Sequence, residues 1–321
     1  MTELFWLASQ VEQLRRARAA GRLPHALLVH DRPGGGGAWL AMKAAQANLC
    51  REPDAPCGRC KICQAVAAGQ HPDFYTVGPI EDSRQIRIDQ IRELTEQLTL
   101  TGYSSPAATA IIAPAEVMHP SAANALLKLL EEPRPGVTLV LVTTSPSRLP
   151  ATVRSRCQRL GVTLPARAPL LAWLRAERGE GPWEAVFDVL GNAPLIALEA
   201  DAELVLRMRD ETAAALDQAR RGELDIPGTA DRWARDGLPL RLACFENWVT
   251  QRVAEQIRPA ADVADLRTST HLPAPAARMN IGQLIRLIDG LHELGRLAFG
   301  SLNKGLDLEQ LLWRVPRNGT A

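Results

Sequence analysis

Four cysteines within fourteen positions form the densest group of possible metal ligands in the sequence. They lie in CREPDAPCGRCKIC with the spacing C-x6-C-x2-C-x2-C, and they are Cys50, Cys57, Cys60 and Cys63. Four thiolates suit a tetrahedral zinc ion, and CGRC is a typical chelating turn. An iron–sulfur cluster is a second reading, but the Cys-Pro that completes a ferredoxin-type run is missing. A third interpretation is that the four cysteines are reduced thiols without a metal, packed as small apolar groups. We predict a structural zinc site.

A run of glycines follows the apolar segment HALLV, where a nucleotide-binding protein would hold phosphate. The run consists of Gly34, Gly35, Gly36 and Gly37. A working phosphate loop reads G-x-x-x-x-G-K-[ST], in which the lysine meets the phosphates and the hydroxyl binds Mg²⁺. Here Asp31 replaces the first glycine, Gly37 the lysine and Ala38 the Ser/Thr. Lys43 lies about 9 Å farther along a helix and cannot substitute. We therefore interpret the glycines as a tight strand-to-helix turn.

The acidic pair that would bind Mg²⁺ at the end of a later strand is also absent. The segment AIIAPAEVMH has Ala113, Pro114 and Ala115 there, and Glu116 is the only nearby carboxylate, with its role open. Losing both the lysine and the acidic pair argues against intrinsic ATP hydrolysis. The alternative is an active ATP switch with an unconventional loop, in which the helix N-terminus holds phosphate through its amides.

Two arginines and a serine precede an isolated cysteine in the segment RLPATVRSRCQRL. They are Arg154, Ser155, Arg156 and Cys157. An exposed arginine is usually a surface charge, worth about 0–1 kcal/mol in an ion pair. The residues alone therefore assign no special role to this segment.

Apolar runs alternate with helical patterns through the first half of the chain. HALLVHD, DFYTV, ATAIIA and VTLVLVTT read as strands, and the segments between them carry helical periodicity. This alternation predicts an α/β fold with a parallel sheet covered by helices. Beyond about residue 166 only helical periodicity remains. We predict an α/β domain at 1–165, a helical lid at 166–205 and an all-α domain at 206–321.

Composition places few limits on function. The 321 residues are 46% hydrophobic and carry a net charge of +1, which gives no strong electrostatic footprint for nucleic acid. A zinc knuckle that binds nucleic acid is an alternative, but residues 51–70 offer no aromatic side chain for base stacking. The sequence has neither a signal-peptide core nor an apolar stretch near the ~20 residues of a membrane helix. We expect a cytoplasmic protein with no membrane partner.

Three stretches together resemble the bacterial clamp-loader subunits of the AAA+ family. The segment Asn124–Pro133 matches the family's Asn-Ala-Leu-Leu-Lys-x-Leu-Glu-Glu-Pro helix, and Thr143 and Thr144 match its Thr-Thr sensor. Ser155–Cys157 matches its Ser-Arg-Cys motif, and the four-cysteine insert completes the similarity. The resemblance covers most of residues 1–165, while the C-terminal third is similar only through LNKGLDLEQLL.

The resemblance implies a parallel-sheet nucleotide-binding-type domain, a helical lid and an α-helical collar that joins five subunits into a ring. In such loaders the Ser-Arg-Cys arginine of one subunit reaches the γ-phosphate held by its neighbour. Arg156 is therefore the expected arginine finger in trans, with Ser155 as a supporting position. Some subunits of this family lack a working phosphate loop, so the degenerate loop implies no bound ATP and no ATPase of its own. Thr143 and Thr144 then have structural roles.

The resemblance also implies partners. These are ATP-binding subunits of the gamma or tau type and a delta subunit in the ring, with the sliding clamp and primed DNA contacted through the complex. Polymerase activity would belong to the replicative holoenzyme and to no residue of this chain.

Overall fold

The computed structural model describes residues 3–80, 83–100, 106–257, 281–297 and 303–317. The chain divides into two compact units, Met1–Ala166 and Arg167–Ala321. The segment STHLPAPAA at 269–277, which the sequence predicts to be a loop between helices, lies outside the described residues. Among the described helices, none is long and apolar enough to cross a membrane.

The first unit is built on a five-stranded parallel sheet with the order β2-β3-β4-β1-β5. Its strands are β1 (Ala26–His30), β2 (Phe74–Val77), β3 (Ala108–Ile112), β4 (Val137–Thr143) and β5 (Gln158–Gly161). Strands β3 and β4 are buried along their whole length, which explains why they read as continuous apolar runs. The parallel α/β architecture predicted from the alternating pattern is confirmed.

Strand β5 was not among the predicted strands. Three of its four residues are exposed and only Leu160 is buried, so the segment carries no apolar run. It forms because it lies at the edge of the sheet and pairs along β1, with Leu27 opposite Gln158 and Val29 opposite Leu160. Pairing with a distant strand, which no local pattern reports, decides this element.

Helices in the described part of this unit surround the sheet or flank its loops. They are α1 (Ala8–Ala19), α2 (Gly37–Leu49), α3 (Lys61–Ala67), α4 (Ile88–Leu100), α5 (Pro120–Glu131) and α6 (Ala151–Arg154). The apolar face of α4 is buried, with Ile91, Leu94 and Leu98 in the core beside Leu126 of α5. These helices cover the strands and connect their ends.

The second unit is helical throughout its described residues. Its helices are α7 (Arg167–Arg178), α8 (Trp183–Leu190), α9 (Pro194–Glu199), α10 (Ala202–Arg221), α11 (Ile226–Arg235), α12 (Leu238–Ile257), α13 (Ile281–Leu297) and α14 (Lys304–Trp313). Phe245, Trp248 and Leu287 are among the residues of its apolar core. The predicted boundary at residue 205 falls inside α10, and a hydrogen bond of 2.6 Å from Asn247 Nδ2 to the Asp188 carbonyl joins α12 to α8. The separation into lid and collar stays a prediction.

Candidate functional site

The glycine loop lies at the carboxyl edge of the sheet, where α/β proteins place their ligands. Immediately after β1, the Asp31 N–H donates to the Thr143 carbonyl at 2.9 Å, so the loop leaves the sheet between β1 and β4. Gly34 and Gly36 have φ angles of +71° and +101°, which other residues rarely adopt. Helix α2 begins at Gly37, the position that the phosphate-loop pattern reserves for lysine.

The side chain of Asp31 binds the backbone at the start of α2. Its Oδ2 accepts the Gly37 N–H at 2.8 Å and its Oδ1 accepts the Arg32 N–H at 2.7 Å. Burial raises the pKa of Asp31, and these two hydrogen bonds oppose that rise. The first N–H groups of a helix have no intrahelical partner and attract anions. In this protein the anion is a carboxylate of the chain itself.

The same carboxylate leaves no room for a side chain on the glycines that face it. A Cβ at Gly37 would lie 2.5 Å from Asp31 Cγ, and a Cβ at Gly35 would lie 2.7 Å from Asp31 Oδ1. Contacts this short do not occur in folded proteins without movement of one partner. Glycine at 35 and 37 is therefore the residue that lets Asp31 approach the helix.

Neighbouring side chains also fix the loop. Trp6 Nε1 donates to the Gly35 carbonyl at 2.8 Å in a buried hydrogen bond.

Lys43, on α2, has its Nζ 4.9 Å from the centre of the Trp39 ring, which is a cation–π contact. Lys43 therefore contacts an indole of its own helix. These contacts agree with the expectation that Lys43 does not stand in for the missing lysine.

The carboxylate of Glu116 binds the residue that follows β4. Its Oε1 accepts the Thr144 hydroxyl at 2.7 Å and the Thr144 N–H at 3.1 Å. Burial alone would raise the pKa of Glu116, but the hydrogen bonds to its carboxylate, led by that from the Thr144 hydroxyl, outweigh burial and lower that pKa. Thr143 is buried and its Oγ1 accepts the Ser145 N–H at 3.1 Å. Both threonines of the predicted sensor therefore have partners within the chain.

Arg156 follows the short helix α6 and is tied to two neighbours. Its Nη2 lies 2.6 Å from Glu131 Oε1, and its Nη1 donates to the Thr152 carbonyl at 2.9 Å. The Arg156 side chain is 35% exposed, so the guanidinium lies at the surface. Ser155 ends α6 and its hydroxyl donates to the Thr152 carbonyl at 3.1 Å. Sequence reasoning found Arg156 and Ser155 but not Glu131.

The four cysteines converge as a metal site requires. Their sulfurs all lie within 4.8 Å of one another, with Cys50–Cys57 at 3.7 Å and Cys50–Cys60 and Cys57–Cys63 each at 3.8 Å. Four sulfurs placed 2.3 Å from a common tetrahedral centre are about 3.8 Å apart. The cluster can therefore hold a metal ion, and these three distances are compatible with a four-cysteine zinc site.

Local structure explains why the cluster forms. Cys50 ends α2, Cys60 caps α3, and Gly58 has a φ of +72° that makes the turn between Cys57 and Cys60. Partial burial opposes ionisation of Cys57, but backbone N–H groups of Cys60 and Arg59 outweigh it and lower the pKa of Cys57 to about 7. Burial raises the pKa of the thiols of Cys50 and Cys63.

The cysteine cluster and the glycine loop lie at opposite ends of α2. The helix is 13 residues long, which separates its ends by roughly 20 Å. A metal ion bound by Cys50 and its partners therefore closes the loop after α2 and does not reach the glycine loop. Arg59, a basic residue of the insert, forms an exposed ion pair with Asp54 at 2.9 Å.

Sequence reasoning missed three carboxylates. Asp31 and Glu116 lie at the carboxyl edge of the sheet, whereas Glu131 ends α5 at the opposite edge, before β4 begins. Asp31 was noted only as the replacement of the first glycine of the phosphate-loop pattern, Glu116 had no assigned role, and Glu131 was only part of a helix motif. Each contact joins segments that are far apart in sequence or lack a standard spacing, such as the 28 residues between Glu116 and Thr144. No local signal would have found them.

Comparisons with known proteins find relatives among the subunits of DNA polymerase III. A family model described as "DNA polymerase III, delta subunit" matches residues 6–165. DNA polymerase III subunit delta' of Pseudomonas aeruginosa is 35% identical over 229 residues, which cover 70% of each chain. The Escherichia coli protein of the same name is 37% identical over 174 residues, 54% of this chain and 52% of the relative. The matched segment thus spans only about half of the second relative.

A solved structure supports the fold. The gamma subunit-related DNA polymerase III protein of Thermotoga maritima aligns over 94% of this chain and 97% of its own, with a TM-score of 0.51 at 18% sequence identity. At that level of identity the similarity concerns the fold alone, an α/β unit followed by a helical unit.

Proposed function

Since the chain belongs to the family of DNA polymerase III delta-prime subunits, which are clamp-loader proteins, we propose that it is a non-catalytic subunit of the clamp loader. In this role it helps to load the sliding clamp onto primed DNA and donates Arg156 in trans to the ATP site of a neighbouring subunit. The observation that carries the proposal is the bond of 2.8 Å between the Asp31 carboxylate and the Gly37 N–H. An internal anion there replaces the phosphate that a catalytic subunit would bind.

Three features support the absence of an ATP site in this chain. Asp31 occupies the helix N-terminus and would repel a phosphate brought close to it. Position 37 is a glycine, so no lysine amine is present there to bind phosphate. A Cβ at that position would lie 2.5 Å from Asp31 Cγ. Glu116, the only carboxylate in the segment AIIAPAEVMH, uses its Oε1 to bind Thr144, which leaves only its buried Oε2 for another ligand. Each feature removes a different part of phosphate or Mg²⁺ binding.

The position of Arg156 supports its proposed role in trans. It lies at the surface beyond the carboxyl end of α6, and its guanidinium is partly open to solvent. An arginine supplied by a neighbour stabilises the charge that develops on a transferred phosphoryl group and can be worth about 10³–10⁵ in rate. The chain would then lack an ATP site of its own, but its Arg156 would complete the ATP site of the neighbouring subunit.

The proposed partners follow from the family. They are ATP-binding subunits of the gamma or tau type and a delta subunit in a pentameric ring, which contacts the clamp and primed DNA in the cytoplasm. We propose a zinc ion as the metal of the Cys50, Cys57, Cys60 and Cys63 cluster, with a structural role, because closing the loop between α2 and α3 requires nothing more. DNA polymerase activity belongs to the polymerase III holoenzyme.

The first test measures ATP binding and hydrolysis by the isolated, zinc-replete protein. We expect no heat of binding at millimolar ATP and no phosphate release. Measurable turnover would contradict the proposal and favour an ATP switch with an unconventional loop.

The second test uses the reconstituted clamp loader. We expect Arg156→Ala to leave assembly intact and to slow hydrolysis by about 10³–10⁵ at the one ATP site that Arg156 serves. Arg159→Ala is the matched control, because Arg159 lies three residues away, is exposed and has no ion pair with a described residue. Equal activity of the two variants would remove the finger role.

A further inference from the structure

We propose that Glu131 is the positioning residue for Arg156, an inference that rests on the proposed role of Arg156 in trans. Glu131 is the last residue of α5, and its Oε1 lies 2.6 Å from Arg156 Nη2. The two residues are 25 positions apart in sequence, so the fold brings them together. The contact places a guanidinium at the C-terminus of α5, where the helix dipole also favours a cation.

Two contacts together define the orientation of the guanidinium. Glu131 binds Nη2 from α5, while the Thr152 carbonyl binds Nη1 from α6 at 2.9 Å. Contacts to both terminal nitrogens from two different helices fix the plane of the group. A guanidinium has five N–H donors in a planar fork, so further donors are available to phosphate oxygens.

Glu131 orients Arg156 and does not block it. The side chains of Arg156 and Glu131 are 35% and 49% exposed, and ion pairs at such exposure contribute little free energy because water screens them. A γ-phosphate carries more charge than one carboxylate and accepts the guanidinium fork through two oxygens. We therefore expect the phosphate to bind the guanidinium N–H groups of Arg156 that Glu131 and the Thr152 carbonyl leave open.

The benefit of the contact is conformational. An arginine side chain loses much rotamer freedom when it is ordered, and this loss opposes any interaction that requires one geometry. Glu131 and Thr152 order Arg156 before the neighbouring subunit arrives, so less of the loss falls on the catalytic step. Without Glu131, the arginine still reaches phosphate but from many rotamers.

The test measures ATPase kinetics of the purified, reconstituted loader with the variants Glu131→Gln, Glu131→Asp and Glu132→Gln. Glu131→Gln removes the charge with little change in shape, and Glu131→Asp keeps the charge on a shorter side chain. Glu132→Gln is the control, because Glu132 is adjacent and exposed and has no ion pair with a described residue. All rates are measured per assembled loader isolated by size exclusion, so that altered assembly does not contribute.

We expect Glu131→Gln to slow hydrolysis roughly three- to tenfold at the one ATP site that Arg156 serves, with KM for ATP unchanged, since this chain does not hold the nucleotide. The hydrolysis rate of Glu131→Asp should lie between those of Glu131→Gln and wild type, and the rate of Glu132→Gln should equal that of wild type. In an Arg156→Ala background, Glu131→Gln has no further effect, because it acts only through that arginine.

Two results overturn the inference without touching the proposed function. The first is a kcat of Glu131→Gln at or above that of wild type while Arg156→Ala is defective. The second is that Glu131→Gln slows hydrolysis by the same factor in the wild-type loader and in the Arg156→Ala background. If instead Arg156→Ala itself is fully active, the proposed finger role fails, and the role of Glu131 fails with it.

Discussion

The carboxylate of Asp31 accepts a hydrogen bond of 2.8 Å from the backbone N–H of Gly37, the first residue of α2. The bond gives the chain an anion at the place where a phosphate loop receives its ligand. It also favours glycine at position 37, because a Cβ there would lie 2.5 Å from Asp31 Cγ and would force one of the two residues to move. The two departures from the phosphate-loop pattern at positions 31 and 37 are therefore one structural device.

Removing the Asp31 side chain should destabilise the protein. Asp31→Ala leaves the Gly37 and Arg32 N–H groups without their partner, and loss of a side-chain cap costs about 1–2 kcal/mol. Urea denaturation measures the change in the free energy of unfolding. Asp31→Asn keeps an oxygen acceptor and should lower the free energy of unfolding by less than Asp31→Ala does. Glu96→Ala is the control, because Glu96 is an exposed carboxylate on α4, and it should change the free energy of unfolding by under about 0.5 kcal/mol. A stable Asp31→Ala protein would contradict the capping role.

Restoring lysine at position 37 should fail while Asp31 is present. Gly37→Lys forces a Cβ against the Asp31 side chain, and such overpacking costs about 1–3 kcal/mol. Adding Asp31→Gly removes the clash, so the double variant should be more stable than the sum of the two single changes predicts. Thermal unfolding of all four proteins measures this coupling, and additive effects would show that the two positions do not interact.

The cysteine cluster should bind about one zinc ion per chain. Cys60→Ser removes one of four ligands and should release most of that zinc, because a structural site depends on its full tetrahedral set. Elemental analysis of purified protein measures zinc, and the thermal midpoint should fall with it because the metal closes the α2–α3 loop. Cys244→Ser is the control, since Cys244 is a buried cysteine of the second unit and outside the cluster. Zinc retained in full by Cys60→Ser would contradict the site.

Glu116 should stabilise the fold in a pH-dependent way. Glu116→Ala leaves the Thr144 hydroxyl and N–H without their acceptor, which we expect to cost about 1–2 kcal/mol near neutral pH. The pKa of Glu116 is lowered in the folded protein, so its contribution is present above the ordinary glutamate pKa of about 4.3 and is lost as the pH falls below it.

Urea denaturation at several pH values compares wild type with Glu116→Ala. The difference in the free energy of unfolding should shrink between about pH 5 and pH 3. A difference that stays constant across this range would mean that the Glu116 charge does not stabilise the folded protein.

The sequence predicted the parallel α/β unit because its strands are apolar along their length and its helices carry an apolar stripe. Runs such as Val137–Thr143 can be stable only when buried on both faces, so composition alone specifies them. Strand β5 could not be found in this way, because three of its four residues are exposed and its pairing with β1 spans more than a hundred positions. The predicted limits of the lid and collar stay predictions.

The candidate site divides in the same way. The cysteine cluster was predictable because its ligands lie within fourteen positions, and short-range spacing alone brings them near one another. The missing lysine at Gly37 and the candidate finger Arg156 were also visible in the sequence. The partners of Asp31, Glu116 and Arg156 were decided only by the tertiary structure. A side-chain hydrogen bond between distant segments depends on distances of a few tenths of an ångström, which only the packing of the strands and helices determines.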